Sequence, residues 1–107
     1  MTTATIAQFA AALADGAAVI DVREPNEYVG GHVPGARLVP MGHLPARGHE
    51  LRRHAPVFVI CASGNRSAMA ADYLARAGFD ARSVAGGTSA WSASGRPLVL
   101  GTRTNAA

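Results

Sequence analysis

Apolar positions along this chain switch between a helical period and short unbroken runs. Ile6, Phe9, Ala10 and Leu13 recur at helical spacing. They follow Thr5-Ile6-Ala7-Gln8, where Thr5 as N-cap and Gln8 three residues on form a capping box, and Gly16 stops the helix. Residues 17–22 are rich in β-formers and end in charge, as Val19-Ile20-Asp21-Val22-Arg23. Glu24-Pro25-Asn26-Glu27-Tyr28 predicts a turn opening into a short helix, because proline suits a first helical position. Gly30 to Gly35 is too rich in glycine and proline for regular structure, and residues 36–39 form a short strand ended by Pro40. Leu44 and Leu51 suggest a helix over residues 46–54, against the influence of Pro45 and Gly48. Val57-Phe58-Val59-Ile60 is a run with no polar face and predicts a strand buried on both sides. Residues 65–77 are helical, with Ala70, Ala71, Leu74 and Ala77 on one stripe and an Asp72–Arg76 pair on another face. Gly78 ends that helix. A strand over 81–84, a Gly86-Gly87 turn and a short helix over 88–94 follow, with Trp91 as a core residue. The tail from Gly95 lacks such a pattern and reads as loosely held.

Strands alternating with helices imply a parallel sheet covered on both faces, with right-handed crossovers. In such sheets a ligand site lies beyond the carboxyl ends of the strands. Asp21 to Arg23 and Cys61 to Arg66 both fall at that edge, so the two charged, chemistry-capable segments converge. With 107 residues and no repeat or linker, one domain spans 1–107, its ordered core covering about 5–100 and its tail 101–107.

Composition narrows the functions available. Apolar residues at 49% and charged ones at 16% suit a globular chain. There is no run of 18 apolar residues, and the first residues lack the charged region of a signal peptide, so a cytoplasmic location and no membrane partner are expected. The net charge is +3, but its ten basic residues are all arginine and scattered from Arg23 to Arg103, which does not make a nucleic-acid surface. A single cysteine excludes an intramolecular disulfide and a four-thiolate metal site. His32, His43, His49 and His54 show no i, i+4 pair and no joining carboxylate, so no metal site is expected. The absence of lysine excludes Schiff-base chemistry.

That leaves the thiol. Cys61 stands where the Val57–Ile60 strand ends, ahead of Ala62-Ser63-Gly64-Asn65-Arg66-Ser67 and a helix N-terminus. A free thiol ionises near pH 8.5, so only a few per cent is thiolate at neutral pH. A helix N-terminus with unpaired N–H groups, and a nearby arginine, favour the charged form. A lowering of about two pH units would leave most of the thiol ionised at pH 7. Gly64 suits a loop that curls its amides toward one point. A buried structural thiol is the plain alternative for Cys61, and a solvated surface arginine for Arg66. Asp21 and Arg23 fit a structural ion pair better than a catalytic one.

Four segments of the chain resemble the rhodanese-like sulfurtransferase domains, in their small single-domain form. Val19-Ile20-Asp21-Val22-Arg23-Glu24-Pro25-Asn26-Glu27-Tyr28 and Gly31-His32-Val33-Pro34-Gly35-Ala36 are similar to two family signatures. Cys61-Ala62-Ser63-Gly64-Asn65-Arg66-Ser67-Ala68 is similar to the active-site loop, and Gly86-Gly87 with Ala90-Trp91 to the C-terminal signature. The resemblance implies a three-layer α/β/α fold with a mainly parallel five-stranded sheet. It implies a sulfurtransferase in which the Cys61 thiolate takes the outer sulfur of thiosulfate or a persulfide. The Cys61 persulfide then gives that sulfur to cyanide, a cellular thiol or a protein acceptor, and no metal or organic cofactor is required. Amides of residues 62–67 would hold the terminal sulfur, Arg66 would attract an anionic donor, and Asp21, Arg23, Glu27 and His32 would support the loops. A non-catalytic or sulfur-presenting interaction module is the alternative. Phosphatases of similar fold place five residues between cysteine and arginine; four lie between Cys61 and Arg66, which suits a sulfur atom better than a phosphoryl group. Thiosulfate-preferring members often carry a basic residue directly after the cysteine, where this chain has Ala62.

Overall fold

A computed structural model describes residues 2–105; the last two residues of the expected tail, 106–107, lie outside the described residues. In chain order the elements are β1 (Thr2–Ala4), α1 (Ile6–Ala14), β2 (Ala18–Asp21), α2 (Pro25–Val29), β3 (Arg37–Leu38), α3 (Leu44–Arg47), β4 (Val57–Ile60), α4 (Asn65–Arg76), β5 (Ala81–Val84) and α5 (Gly87–Ala93). The strands form one sheet in the order β1-β5-β4-β2-β3, and every pairing in it is parallel. The all-apolar strand β4 lies at its centre, as a strand without a polar face must.

Strand alternation sorts the core into two layers. Val57 and Val59 join Ile20, Val22, Ala70, Ala71 and Leu74 under α3 and α4. Phe58 and Ile60 join Val19, Phe9, Val84 and Trp91 under α1 and α5. Cys61 keeps the parity of Val57 and Val59 and belongs to the α4 side. This places its sulfur beneath the start of α4 rather than under α5.

Local chemistry explains most element boundaries. Gln8 N–H donates to Thr5 Oγ1 at 3.1 Å and Thr5 N–H to Gln8 Oε1 at 2.9 Å, so the predicted capping box forms. Two of the expectations need correction, and one strand lies where the sequence predicts none. β1 carries no apolar run, and it becomes a strand by pairing in register with Arg82 to Val84 of β5. The helix expected over 46–54 does not form. Instead α3 is flanked by single 3₁₀ turns at Met41–His43 and Gly48–Glu50, and the chain beyond Glu50 is irregular up to β4. Pro45 sits in the first turn of α3, where its missing N–H costs nothing, and Gly48 ends the helix.

The second correction concerns the tail. Val99 pairs antiparallel with His32, Gly101 N–H donates to Val29 O at 2.9 Å, and Gly35 N–H to Thr104 O at 2.8 Å. The buried His32 ring bridges Tyr28 O at 2.8 Å and Arg103 O at 2.6 Å and stacks on Tyr28. Residues 97–104 are therefore a strap across the Gly30–Gly35 segment. It holds that segment by backbone pairing, which leaves no periodic side-chain signal.

Phe9 joins the helical layer that carries α5, with its ring centroid 5.4 Å from both Phe58 and Trp91. Phe9→Ala should lower unfolding free energy by about 3–5 kcal/mol in urea denaturation. A loss below about 1 kcal/mol would show that this cluster does not anchor the layer.

Candidate active site

The loop between β4 and α4 is shaped from behind. Thr88 N–H donates to Cys61 O at 2.8 Å and Ser89 N–H to Ala62 O at 3.0 Å. These are first-turn amides of α5, which have no partner within their own helix. They draw the loop carbonyls away from the thiol, so the amides that follow turn the other way. Such an approach needs Gly87 bare: a Cβ there would lie 2.4 Å from Cys61 O and 2.7 Å from Ala62 O. Gly64 supplies the turn into α4 with φ +109, a left-handed conformation that glycine adopts at no steric cost.

Within that curl Cys61 is 1% exposed. Gly64 N–H donates to its sulfur at 3.1 Å, and Ser67 Oγ lies 3.5 Å away. Burial pushes the thiol up. Hydrogen bonds from the Ser67 hydroxyl and from the amides of Ser67, Gly64 and Ser63 outweigh it, and the net displacement is toward a lower pKa. The loop thus provides what a thiolate requires: donors aimed at one atom, at the positive end of a twelve-residue helix.

Arg66 stands beside the loop, as its spacing suggested, but its side chain is engaged by a carboxylate. Its guanidinium binds the Glu27 carboxylate through two bonds, Nη1 to Oε1 at 2.7 Å and Nη2 to Oε2 at 2.8 Å. Glu27 also accepts Glu24 N–H at 3.1 Å, so the start of α2 is clamped to the start of α4. Arg66 pulls the Glu27 carboxyl down to about 2, and Glu27 in turn raises the Arg66 pKa. Asp21 and Arg23 form a buried pair at 2.8 Å, and Arg23 also donates to Gly31 O at 2.8 Å. They hold the Gly30–Gly35 segment at the sheet edge, and no hydrogen bond joins them to Cys61 among the described residues. Ala62, Ser63 and Asn65 contribute main chain to the curl. Of the four histidines only His32 is buried, and it serves the strap. Among the described residues no three His, Cys, Asp or Glu side chains gather as metal ligands would.

Two supports have roles that no motif spells out. Gly87 is paired with Gly86 in the sequence, but its packing against the Cys61 carbonyl shows only in three dimensions. Ser83 stands at a core-facing position of β5, with its hydroxyl 2.8 Å from Ser67 Oγ. A hydroxyl at an inward strand position was the one available signal.

A profile of the rhodanese-like domain matches residues 5–94. The chain belongs to the rhodanese-like domain family. This rhodanese-like domain superposes on a rhodanese-related protein from Thermoplasma volcanium with a TM-score of 0.88 at 33% identity, covering 94% of this chain and 100% of that one. It is 47% identical over 62 residues to the uncharacterized Bacillus subtilis protein YqhL, which covers 58% of this chain and 49% of YqhL. It is 41% identical over 61 residues to the putative sulfur carrier protein YrkF of the same organism, covering 57% of this chain and 33% of YrkF. The matched region is thus half or less of the length of both curated relatives.

The Glu27–Arg66 clamp gives a pH test. A carboxyl held at about 2 in the folded chain and ionising near about 4.3 when unfolded stabilises the fold above about pH 4.3. That contribution is lost as pH falls through the folded value. Both side chains are about a third exposed, at 38% and 30%, so solvent screening limits the clamp to no more than about 1 kcal/mol. The melting-temperature gap between the wild type and Glu27→Gln should be constant above roughly pH 5 and close toward pH 2. A gap that persists unchanged at the acid end would remove Glu27 as its source.

Proposed function

We propose that this domain transfers a sulfane sulfur through a persulfide on Cys61, drawing it from a thiol persulfide in preference to thiosulfate. The observation that carries this reading is the thiol seated among the Gly64 amide, the Ser67 hydroxyl and the start of α4. In the first step the Cys61 thiolate attacks the outer sulfur of the donor. An Sγ–S bond forms, the donor's S–S bond breaks, and its electron pair leaves with the departing thiolate, or with sulfite when thiosulfate is the donor. In the second step an acceptor thiolate or cyanide attacks the outer sulfur, and Cys61 departs as thiolate. Charge on the terminal sulfur would be met by amides of residues 62–67, dipoles already oriented before the reaction.

Donor preference follows from the charges. Ala62 brings no cation, and the Arg66 guanidinium is engaged by Glu27. A thiosulfate dianion would enter without an unpaired positive partner, whereas a persulfide presents a single negative charge. The four-residue spacing to Arg66 disfavours phosphoryl transfer, and no release of phosphate from an aryl phosphate is expected. The reducing cytoplasm is the compartment where such a thiol would remain available.

A second reading is that the domain presents a Cys61-borne sulfur to a larger partner and has little turnover of its own. The near-complete burial of Cys61 and the likeness to a putative sulfur carrier protein favour it.

Intact mass after treatment with a low-molecular-weight persulfide should show one added sulfur, lost with Cys61→Ser. Thiocyanate formation from cyanide should proceed with kcat/KM about tenfold higher from the persulfide than from thiosulfate. Added sulfur without turnover would establish the presenting module. No added sulfur from either donor would end the sulfur-transfer reading, and a preference for thiosulfate would reverse the choice of donor.

A further inference from the structure

Ser83 has a place in the site that its position in β5 does not advertise. Alternation puts it on the α4 side with Ala81, while Val84 faces the other layer. The sheet register sets it beside Val59, two residues before Cys61. It is 2% exposed, and the hydrogen-bond partner of its hydroxyl among the described residues is Ser67 Oγ at 2.8 Å. Ser67 Oγ has two further neighbours, Gly64 O at 3.1 Å and Cys61 Sγ at 3.5 Å.

Proton counting orders these contacts. A hydroxyl has one proton to donate and two lone pairs that accept. While Cys61 is a thiol, its S–H and the Ser83 O–H both point at Ser67, and Ser67 donates to Gly64 O. Once the thiol has released its proton to solvent, the sulfur can only accept. The Ser67 proton then turns from Gly64 O to the sulfur. Gly64 O is not left bare, because it also accepts Ala68 N–H at 3.1 Å. Ser83 donates to Ser67 in both states.

We propose that Ser83 is a positioning residue for Cys61, which acts through Ser67 as the far end of a two-hydroxyl chain whose protons all point toward the thiolate. The proposal rests on the reading of Cys61 as the working thiolate. Hydrogen bonds aligned head to tail polarise one another, so the donor behind Ser67 strengthens the bond Ser67 makes to sulfur. Ser83 touches neither sulfur nor substrate. The charged groups around the loop are the Glu27–Arg66 clamp from α2 and α4 and the Asp21–Arg23 pair at the end of β2. Arg82, the nearest charge on β5, lies on the opposite face, over the Phe58 ring. A change at Ser83 alters none of these charges.

The test is the pH dependence of Cys61 alkylation by iodoacetamide, with no sulfur donor present. S83A should raise the midpoint by about half a pH unit and slow alkylation about threefold below it. S83V and S83T have nearly the same shape, and only the second keeps the hydroxyl; S83V should shift like S83A, and S83T should stay with the wild type. In an S67A background, S83A should add no shift, because the link is gone. A wild-type midpoint in S83A or S83V, or an equal shift in the S67A background, would overturn the proposal. This readout is independent of sulfur transfer: a failure of Cys61 to gain sulfur would end the functional reading while the hydroxyl chain stood, and an unmoved midpoint in a sulfur-loading protein would do the reverse.

Discussion

The site depends on which way the peptide groups of residues 61 and 62 face. Their carbonyls are claimed by Thr88 and Ser89 N–H, and once they turn toward α5, the Ser63 amide on the far side of the second peptide turns toward the sulfur. Each peptide unit has a donor and an acceptor on opposite sides, so securing one side orients the other. The close approach is possible because Gly87 has no side chain. The position of α5 is in turn held by Trp91, whose ring packs on Phe9 and whose Nε1–H donates to Pro97 O at 2.7 Å. Aromatic packing on one face of the sheet thereby sets the polarity of a loop that serves a sulfur on the other.

The electrostatics of the loop are short-ranged for the same reason. Its full charges are paired, Arg66 with Glu27 and Arg23 with Asp21, while the thiol is addressed by neutral donors. Paired charges largely cancel beyond a few ångströms, and salt screens what is left. Amide and hydroxyl donors in contact with the sulfur are not screened in that way. The acid shift of Cys61 is thus a property of contact geometry more than of the field around the domain, despite the net charge of +3.

Much of this was legible beforehand where side-chain pattern and backbone need coincide. The apolar run 57–60 and the parity it imposes on Cys61, the Thr5–Gln8 capping box and the helix following Gly64 all leave marks in side-chain type. β1 left none, because Thr2 to Ala4 become a strand through pairing with β5. The strap left only the short run Leu98-Val99-Leu100, since its grip is mostly on backbone groups. Spacing placed Arg66 near the loop but did not say which way its side chain would turn. The partner that decides it, Glu27, is 39 residues away in sequence. Ser83 was visible as a polar residue in a short strand, but its meaning required the register that brings it to Ser67.

The two outermost strands are also the two shortest, three residues in β1 and two in β3. An open sheet with long, flat rims invites other chains to add themselves by main-chain pairing. Here the β3 rim is also occupied by charge, with Arg37 paired to Glu50. The strongly apolar β4, which would template aggregation if it stood at a rim, is enclosed by a neighbour on either side. The strand order that delivers Cys61 to the middle of the sheet's carboxyl edge therefore also keeps the stickiest segment of the chain away from other molecules.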